Sequence, residues 1–593
     1  MGLETVNQIF YSAVGRQCDR VMMYKQADKW IPVSSAELYR NVVGVARTLQ
    51  QWGISKGDRV AILSENRPEW AIADFATLLL GAVVVPIYCT LTAEQTAHIL
   101  KDAGARVIFL STAEQFKKFV AVKNQVPIEK AVVMDDGVTA ADAIPIRDLL
   151  NSGPTARDPG FDARCAAVRA ADLATIIYTS GTTGVPKGAM LTHGNLASNV
   201  DYSLRGFPVG AGDIGISFLP LAHITARHVD YTFLHNGVTV AYCPLLDQLP
   251  IALTEVRPTI FVAVPRVYEK MYARIQQRAS KGPKRSIVKW ALQVGHSHQD
   301  DTLNDRHPNS LSWRLADLLF FSQVRKGVGG RVKIFLSGGA PLGRELARWF
   351  ADAGIRIDEG YGLTETSPVI AVNNPKAHKL GTVGKPLPNV QVKIADDGEI
   401  LVRGPSVFSG YWNLPEQTKN AFTDGWFNTG DIGNLDPDGF LSVTDRKKDL
   451  LKTSGGKFIT PQPIQKSLQL DSFVAEAVVI GDRRKFPSVI IAPQFPMLED
   501  WARANQLPFS SREELVANPK VRELYEKIVG NVNQNLARYE QLKKFVLVPH
   551  EFSIADGTLT PSMKLKRSII EERYREQIDQ LYSEPVPAVT SGR

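Results

Sequence analysis

The chain has 593 residues, of which 44% are hydrophobic and 22% charged, a composition ordinary for a soluble globular protein. This length is too great for a single hydrophobic core, so at least two domains are expected. The formal net charge of +8 favours anionic ligands or an anionic membrane surface. No zinc-finger spacing or RNA-binding signature supports a nucleic-acid partner, and none is expected.

The cysteines and the apolar segments favour a cytoplasmic setting. No cysteine lies in a CxxC pair or has metal-ligand spacing, which fits a reducing compartment; the four are Cys18, Cys89, Cys165 and Cys243. The first ten residues lack a long apolar region, so no signal peptide is expected. The most apolar segment, 75–89, is short and predicts a buried helix followed by a strand rather than a membrane span.

Apolar strand-like runs alternate with helical patterns from Trp30 to roughly Pro265, which predicts a layered α/β architecture. Such runs occupy 58–64, 82–88, 106–111, 173–177 and 259–264. Residues 332–342 predict a strand, a glycine turn and a helix start with Pro341 near the first helical position. From 382 to 443 the pattern is mostly β.

A smaller unit is predicted after residues 445–449. Its pattern indicates strands near 474–480, 489–493 and 545–549, a long polar helix over 511–539 and a final charged helix. The tail from Ser583 is rich in proline and serine and is predicted to be disordered.

The segment 271–328 carries many basic residues interleaved with tryptophan, leucine and phenylalanine. Two interpretations remain open. It is either a solvated helical hairpin or a basic amphipathic patch that rests on anionic lipid at the inner face of a membrane.

The stretch YTSGTTGVPKG at 178–188 has the composition of a polyphosphate-binding loop. Its hydroxyls and glycine backbone suit close contact with an anion, and Lys187 adds a positive charge. The spacing is not that of a Walker A motif. The hydroxyl and glycine residues of this loop are Thr179, Ser180, Gly181, Thr182, Thr183, Gly184 and Gly188.

This stretch resembles the phosphate-binding loop of the adenylate-forming enzymes, which include acyl-CoA synthetases, luciferases and peptide-synthetase adenylation domains. Further strings resemble that family's motifs in the expected order; they are FLPLAH (218–223), SGGAPL (337–342), DEGYGLTET (358–366), NTGD (428–431), DRKKDLLKTSGGK (445–457) and LTPSMKLKRSII (559–570). The resemblance extends from about residue 30 to about residue 570 and is greatest to bacterial long-chain fatty-acid–CoA ligases.

The resemblance implies a role for each matched residue. It implies catalytic roles for Lys564, Lys187, His223 and Glu365, of which Lys564 is the adenylation lysine and His223 lines the acyl site. Glu365 and Thr179 are the implied Mg²⁺ ligands, and Lys448 is the hinge. The residues implied to bind nucleotide or coenzyme A are Thr179, Ser180, Gly181, Thr182, Thr183, Gly184, Gly339, Ala340, Pro341, Glu359, Gly360, Tyr361, Gly362, Thr364, Asp431, Arg446, Lys448, Gly455 and Gly456.

The implied fold is α/β, with a large multilayered N-terminal domain (1–447) that has a β-rich subdomain and a small mobile α+β C-terminal domain (448–593). The implied reaction is ATP-dependent formation of a fatty acyl-AMP followed by thioester formation with coenzyme A, with Mg²⁺ as cofactor. Alternatives are a fatty acyl-AMP ligase, an aryl or medium-chain acyl-CoA ligase and an inactive membrane-associated binding protein. The oligomeric state, monomer or homodimer, stays open.

Two positions depart from the family's pattern. Gln465 stands where the family usually has Glu, which puts a local contact in doubt. Long-chain relatives tend to have an acidic residue before an arginine shortly after the histidine, whereas Ala226 precedes Arg227 here, so the gate of the acyl site is expected to differ.

Overall fold

The fold was analysed on a computed structural model. It describes residues 2–138, 140–154, 156–179, 186–279, 284–306, 308–454, 457–553, 555–560 and 565–583.

The strands, in chain order, are β1 (Met22–Gln26), β2 (Lys29–Val33), β3 (Arg59–Leu63), β4 (Val83–Ile87), β5 (Ala105–Leu110), β6 (Lys130–Val133), β7 (Ile144–Pro145), β8 (Leu173–Thr179), β9 (Lys187–Thr192), β10 (Ile214–Ser217), β11 (Thr239–Tyr242), β12 (Ile260–Ala263), β13 (Ile334–Ser337), β14 (Ile357–Gly362), β15 (Val369–Val372), β16 (Lys385–Pro386), β17 (Gln391–Ile394), β18 (Glu399–Arg403), β19 (Gly410–Tyr411), β20 (Phe422–Thr423), β21 (Trp426–Leu435), β22 (Leu441–Arg446), β23 (Leu451–Lys452), β24 (Phe458–Ile459), β25 (Val474–Ile480), β26 (Ser488–Pro493) and β27 (Phe545–Leu547).

The α-helices are α1 (Val6–Gly15), α2 (Ser35–Gln51), α3 (Pro68–Leu79), α4 (Ala93–Ala103), α5 (Ala113–Val120), α6 (Ile146–Leu150), α7 (Pro159–Cys165), α8 (His193–Ser203), α9 (Ile224–Asn236), α10 (Leu249–Val256), α11 (Pro265–Ala279), α12 (Lys284–Ser297), α13 (Gln299–Leu303), α14 (Leu311–Ala316), α15 (Ser322–Lys326), α16 (Arg344–Asp352), α17 (Pro415–Asn420), α18 (Pro461–Gln469), α19 (Phe495–Ala504), α20 (Arg512–Ala517), α21 (Pro519–Asn533), α22 (Arg567–Arg573) and α23 (Arg575–Ser583). Short 3₁₀ turns lie at Lys123–Gln125, Leu246–Gln248 and Thr364–Thr366, and a π turn at Asp317–Phe321 joins α14 to α15.

Two large mixed sheets and one antiparallel sheet form the part of the chain up to Arg446. In the described residues, one sheet has the order β19-β9-β8-β4-β3-β5-β6-β7 and the other has the order β16-β15-β14-β13-β12-β10-β11-β1-β2. The antiparallel sheet contains β17, β18, β21 and β20, with β22 paired to β21. The α/β fold class predicted from the sequence is therefore confirmed, including its β-rich portion.

A separate sheet, β25-β26-β27, follows in the C-terminal part of the described chain. Two hydrophobic clusters pack around it, and all of their buried members lie between Leu451 and Leu581. This small α+β arrangement has its own core, as the sequence pattern predicts. No helix within the described ranges is both long and apolar enough to cross a membrane.

Most predicted strands are confirmed, and two helix predictions are wrong in detail. The helix after β13 begins at Arg344, not near Pro341, because its N-cap residue Gly343 has φ +90°, a left-handed conformation that no helical residue adopts. The predicted helix over 511–539 is two helices, α20 and α21. Pro519 begins the second, with the side chain of Asn518 as its N-cap.

Parallel strands bring four chain segments to one edge of the second large sheet. β10, β12, β13 and β14 run parallel to one another. The segments that follow them include His223, Arg266, the 338–341 loop and residues 363–365. Carboxyl ends of parallel strands share an edge, and ligands of open α/β sheets bind there. This edge is where the predicted site residues are expected to meet.

A buried ion pair joins helices α3 and α9 behind this edge. Arg227 and Asp74 are each 1% exposed and contact each other through two hydrogen bonds. The Arg227 guanidinium also donates to Thr175 in β8 and to Tyr231, whose hydroxyl donates to Asp74. Arg227 is therefore a structural link between α9 and the strand that precedes the 178–188 loop. The acidic residue that pairs with Arg227 is Asp74 in α3, whereas the residue directly before Arg227 is Ala226.

We expect Asp74→Asn to destabilise the protein strongly, since it leaves the buried Arg227 charge uncompensated. The expected loss is about 3–5 kcal/mol of unfolding free energy, measured by denaturant titration. Glu129→Gln is the matched control, because Glu129 pairs with Arg106 at the surface; its expected cost is below about 1 kcal/mol. Equal losses in the two variants would contradict the role given to the buried pair.

Candidate active site

The hairpin of β8 and β9 carries the first predicted site residues. Thr179 lies directly opposite Lys187 in the antiparallel register. Gly188 is buried here for a steric reason, since a Cβ atom on it would lie 2.6 Å from Ile176 Cγ2. Its lack of a side chain is therefore required by strand packing.

Tyr411 connects Lys187 to Glu365. The Lys187 Nζ lies 5.4 Å from the centroid of the Tyr411 ring, and the Tyr411 hydroxyl donates to Glu365 Oε1 at 2.8 Å. Burial and the neighbouring Glu365 raise the pKa of Tyr411, so the hydroxyl stays protonated and acts as a donor. The backbone N–H of Phe408 donates to the Glu365 carbonyl at 2.8 Å. Glu365 is thus held in place at both its main chain and its side chain.

Asp431 organises a second group of predicted residues. Its carboxylate accepts from the Tyr361 hydroxyl at 2.7 Å and pairs with Arg446 Nε at 3.1 Å. Asp431 and Arg446 are register partners of β21 and β22, whereas Tyr361 belongs to β14 of the other sheet. Burial, followed by Asp431, raises the pKa of Tyr361 well above its ordinary value. The carboxylate therefore holds an aromatic ring and a guanidinium in fixed positions.

Arg446 joins the two groups electrostatically. Its charge lowers the pKa of Tyr411, against the larger raising effects of burial and Glu365, and Glu365 acts in turn on Arg446. Three sheets thus contribute side chains to two groups whose charges act on each other. The first group contains Lys187, Tyr411 and Glu365, and the second contains Arg446, Asp431 and Tyr361.

The glycine-rich loop after β13 has an open backbone surface. Gly339 has φ +83°, which favours glycine, and the nearest atom to a Cβ placed there is Val264 Cγ1 at 3.7 Å. Ala340 is exposed, and Pro341 lies in the loop before α16. The backbone N–H of Leu342 donates to Glu359 Oε2 at 3.3 Å, which fastens the loop to β14.

The remaining residues of the 358–366 motif have mixed surroundings. Gly362 admits no side chain, because a Cβ atom would lie 1.8 Å from the Pro368 carbonyl oxygen. A Cβ on Gly360 would be in ordinary contact with Val372 at 3.5 Å. Thr364 begins the 3₁₀ turn that contains Glu365.

His223 belongs to a different segment of the chain from this set, whereas Lys448 follows Arg446 by two residues. His223 is the N-cap residue of α9, where its Nδ1 accepts from the Thr225 backbone N–H at 3.1 Å. Lys448 is exposed just after β22. The other predicted site residues lie outside the described ranges; they are Ser180, Gly181, Thr182, Thr183, Gly184, Gly455, Gly456 and Lys564.

Gln465 keeps a contact at the position where the family usually has Glu. Its Oε1 accepts from Arg567 at 3.2 Å and from the Val479 backbone N–H at 3.0 Å. Arg567 also donates to the carbonyl of Asp449 at 3.4 Å, beside Lys448. The neutral amide therefore supplies the acceptor that a carboxylate would supply.

Tyr411 is a member of the site that is not among the residues predicted from the sequence. Its string FSGYWN (408–413) lies within the β-rich region and has no charged residue or paired motif. Its importance depends on the pairing of β19 with β9, which sets Tyr411 opposite Ala189. A glycine–tyrosine pair beside a turn is the weak signal that could have pointed to it.

Comparisons with known proteins agree on one family. The AMP-binding enzyme family matches residues 10–412, and the AMP-binding enzyme C-terminal domain matches residues 448–585. The chain is 38% identical to the long-chain-fatty-acid–CoA ligase FadD15 of Mycobacterium bovis, over 93% of each chain. It is 32% identical to the long-chain-fatty-acid–CoA ligase ACSBG1 of Rattus norvegicus, over 98% of this chain and 86% of that one.

Solved structures share the fold at lower identity. The A domain of carboxylic acid reductase from Segniliparus rugosus, in complex with AMP and a carboxylic acid, is 21% identical and has a TM-score of 0.76, covering 98% of this chain and 94% of that one. ATP-bound MatB from Rhodopseudomonas palustris is 23% identical with a TM-score of 0.70, covering 97% and 99%. At these identities the likeness shows the fold alone.

We expect the stability of the protein to respond to the buried carboxyl of Glu359. Burial raises its pKa to about 7, so the folded state keeps a proton that the unfolded chain releases near pH 4.3. The protonated Glu359 carboxyl therefore contributes its full share of the unfolding free energy below about pH 4.3, and this contribution is lost as pH rises through about 7. Glu359→Gln should remove this part of the pH dependence of the unfolding free energy.

The measurement is denaturant unfolding of both proteins at a series of pH values from 4 to 8. Glu523→Gln, at an exposed position of α21, is the control and should keep the wild-type profile. Superimposable profiles for wild type and Glu359→Gln would contradict the assignment.

Proposed function

Since the chain belongs to the AMP-binding enzyme family, we propose that it activates a long-chain fatty acid with ATP and transfers the acyl group to coenzyme A. The observation that carries the proposal is the presence of two contact groups, one of Lys187, Tyr411 and Glu365 and one of Tyr361, Asp431 and Arg446, whose charges act on each other. These groups provide cations, an oriented pair of carboxylates and an aromatic face, contributed by three sheets. A nucleoside triphosphate needs groups of these three kinds.

The first half-reaction joins the acid to AMP. A carboxylate oxygen attacks the α-phosphorus, and the bond from that phosphorus to pyrophosphate breaks. Because the acid is already ionised at neutral pH, no general base is needed. The obstacle is repulsion between the carboxylate and the triphosphate. Lys187 and Lys564 counter it by positive charge, while Asp431 and Arg446 orient the ribose and Tyr361 supports the adenine.

The donor set fits a bound Mg²⁺ ion. In the part of the chain that is described, no group of three or more His, Cys, Asp or Glu side chains could hold a metal. This agrees with Mg²⁺, which usually keeps several waters and takes one or two protein oxygens besides the substrate phosphates. Glu365, positioned by Tyr411, and Thr179 would hold it. The bound ion would neutralise part of the negative charge of the phosphates.

The second half-reaction transfers the acyl group to the coenzyme A thiol. The thiol sulfur attacks the acyl carbon, and AMP leaves with the oxygen that bridged carbon and phosphorus. We propose that residues 448–593 form a mobile domain that turns at Lys448 against residues 1–447, so that Lys564 leaves and Gly455 and Gly456 line the thiol channel. The separate core around β25–β27 supports this division, because a domain with its own core can move as a unit.

Lys564→Ala should abolish acyl-AMP formation and spare thioester formation from supplied acyl-AMP. The expected loss in the first half-reaction is about 100-fold or more, because the cation acts on charge that develops during the reaction. Acid-dependent pyrophosphate release measures the first half-reaction, and acyl-CoA formation from synthetic acyl-AMP measures the second. Lys566→Ala is the matched control.

Two outcomes would refute this assignment. One is an equal loss of both half-reactions in Lys564→Ala, and the other is the same loss in Lys566→Ala. Replacing coenzyme A with hydroxylamine separates the ligase from an enzyme that stops at the adenylate. Turnover across acids of increasing length separates a long-chain from a medium-chain or aryl substrate. A protein that hydrolyses no ATP with any acid is the inactive binding protein.

A row of exposed leucines supports peripheral contact with a membrane. Leu311, Leu315, Leu318 and Leu319 are 82%, 49%, 69% and 46% exposed, and their spacing sets them on one side of the α14–α15 helix. The opposite side packs inward through Ala316, Phe320 and Phe321. Exposed basic residues of the 271–328 region include Arg285, Lys289, Arg314 and Lys326. Leucines flanked by basic charge suit an anionic lipid surface.

The double variant Leu311→Ser/Leu318→Ser should bind vesicles of phosphatidylglycerol and phosphatidylcholine at least about tenfold more weakly, since each buried leucine contributes roughly 1.5–3 kcal/mol. Cosedimentation measures the binding. The control is Leu245→Ser/Leu246→Ser, which removes two leucines that are 46% and 45% exposed elsewhere. Unchanged binding of the first variant, or an equal loss in the control, would reject the membrane contact.

A further inference from the structure

Four charged side chains alternate in sign across the contact between α11 and the C-terminal part of the chain. Arg266 contacts Glu476 at 3.2 Å and Glu269 at 3.4 Å. Glu269 also contacts Lys466 at 2.5 Å. The order is Glu476–Arg266–Glu269–Lys466, so each inner charge has an opposite charge on both sides. We name these four residues the interdomain charge network.

The network links two parts of the chain that have separate cores. Arg266 and Glu269 lie in α11, which follows β12, whereas Lys466 lies in α18 and Glu476 in β25. Glu269 and Glu476 keep only 14% and 12% of their side-chain surface exposed. Carboxylates so shielded from water are costly unless they are paired, so the docked arrangement depends on the opposing cations.

Further contacts fix the same surface. Arg266 donates to the Ala475 carbonyl at 3.1 Å, and Gln469 donates to the second oxygen of Glu476 at 2.5 Å. Leu470, next to the end of α18, packs against the hydrophobic cluster that includes α11 and α16 residues. The surface therefore combines charge pairing, a backbone hydrogen bond and apolar contact, which together select one relative orientation.

The network lies beside the glycine-rich loop of the candidate active site. A Cβ atom built on Gly343 would lie 3.8 Å from Lys466 Cβ, so α18 touches the end of the 338–343 loop. Arg266 stands two residues after Val264, whose side chain is the nearest neighbour of Gly339. The charged pairs of the network therefore lie within a few residues of the loop that is proposed to bind adenine.

We propose that the interdomain charge network holds residues 448–593 in the orientation of this structure, and that its loss changes the balance between the two half-reactions. The inference rests on the proposed function, because it requires both half-reactions. A rotation at Lys448 must separate Lys466 and Glu476 from α11, so the Arg266–Glu476 and Glu269–Lys466 pairs exist in one orientation only. A contact present in one of two states shifts their populations by its own stabilisation.

The test compares Glu269→Gln, Lys466→Met and the double variant with wild type. For each protein, pyrophosphate release measures the first half-reaction and acyl-CoA formation from supplied acyl-AMP measures the second. We expect the ratio of the two rates to change by about fivefold or more, in the same direction in both single variants, as loss of roughly 1 kcal/mol of coupling implies. The double variant should change it no further than the larger single effect, because both substitutions break the same pair.

Two controls separate this role from a general loss of stability. Lys379→Met breaks an ion pair with Asp436 and Asp438 that lies wholly within the first 447 residues, and it should leave the ratio unchanged. Lys466→Arg should preserve the wild-type ratio, since it keeps the charge. A damaged fold would lower both rates together and leave their ratio intact.

An unchanged ratio of the two rates in Glu269→Gln and Lys466→Met would overturn the inference. Changes of the ratio in opposite directions in these two variants would also overturn it, and so would additive changes in the double variant. A wild-type protein that performs neither half-reaction would instead reject the proposed function. The two failures are therefore distinguishable.

Discussion

The carboxylate of Asp431 is the contact on which the site depends, because it joins side chains from two sheets. It accepts a hydrogen bond from Tyr361, near the end of β14 in one large sheet. It also pairs with Arg446 on the neighbouring strand of the antiparallel sheet. Charge-assisted hydrogen bonds of this kind are strong and directional. Without these bonds, the Tyr361 ring and the Arg446 guanidinium would no longer be fixed relative to each other. The distance between Arg446 and Glu365, on which their electrostatic interaction depends, would no longer be fixed either.

The other sheet reaches the same point through backbone pairing. β19 adds to the edge of β9, and this pairing delivers Tyr411 to the space between Lys187 and Glu365. Behind the site, the buried Arg227–Asp74 pair fixes α9 against α3 and β8. The strand that precedes the 178–188 loop and the helix that His223 caps are therefore held in fixed relative positions. A single reaction centre assembled from distant segments requires such rigid supports.

Sequence reasoning succeeded where structure is determined locally. Strands β3, β4, β5, β8 and β12 follow apolar runs that any reader of the chain can find, and the motif strings identified the family. It failed where a partner comes from far along the chain. Tyr411 matters only because β19 pairs with β9, and Arg227 is a structural residue only because Asp74 lies on another helix. The helix start predicted near Pro341 was wrong because Gly343 has a left-handed backbone conformation, so the helix begins only after it.

The central claim is that the acid forms a mixed anhydride with AMP, and isotope transfer tests it most directly. A fatty acid whose carboxylate carries oxygen-18 is incubated with the protein, ATP, Mg²⁺ and coenzyme A, and the AMP is analysed by mass spectrometry. The account predicts one labelled oxygen in each AMP released, since the bridging oxygen leaves with phosphorus. AMP without label, or ADP as the nucleotide product, would contradict it.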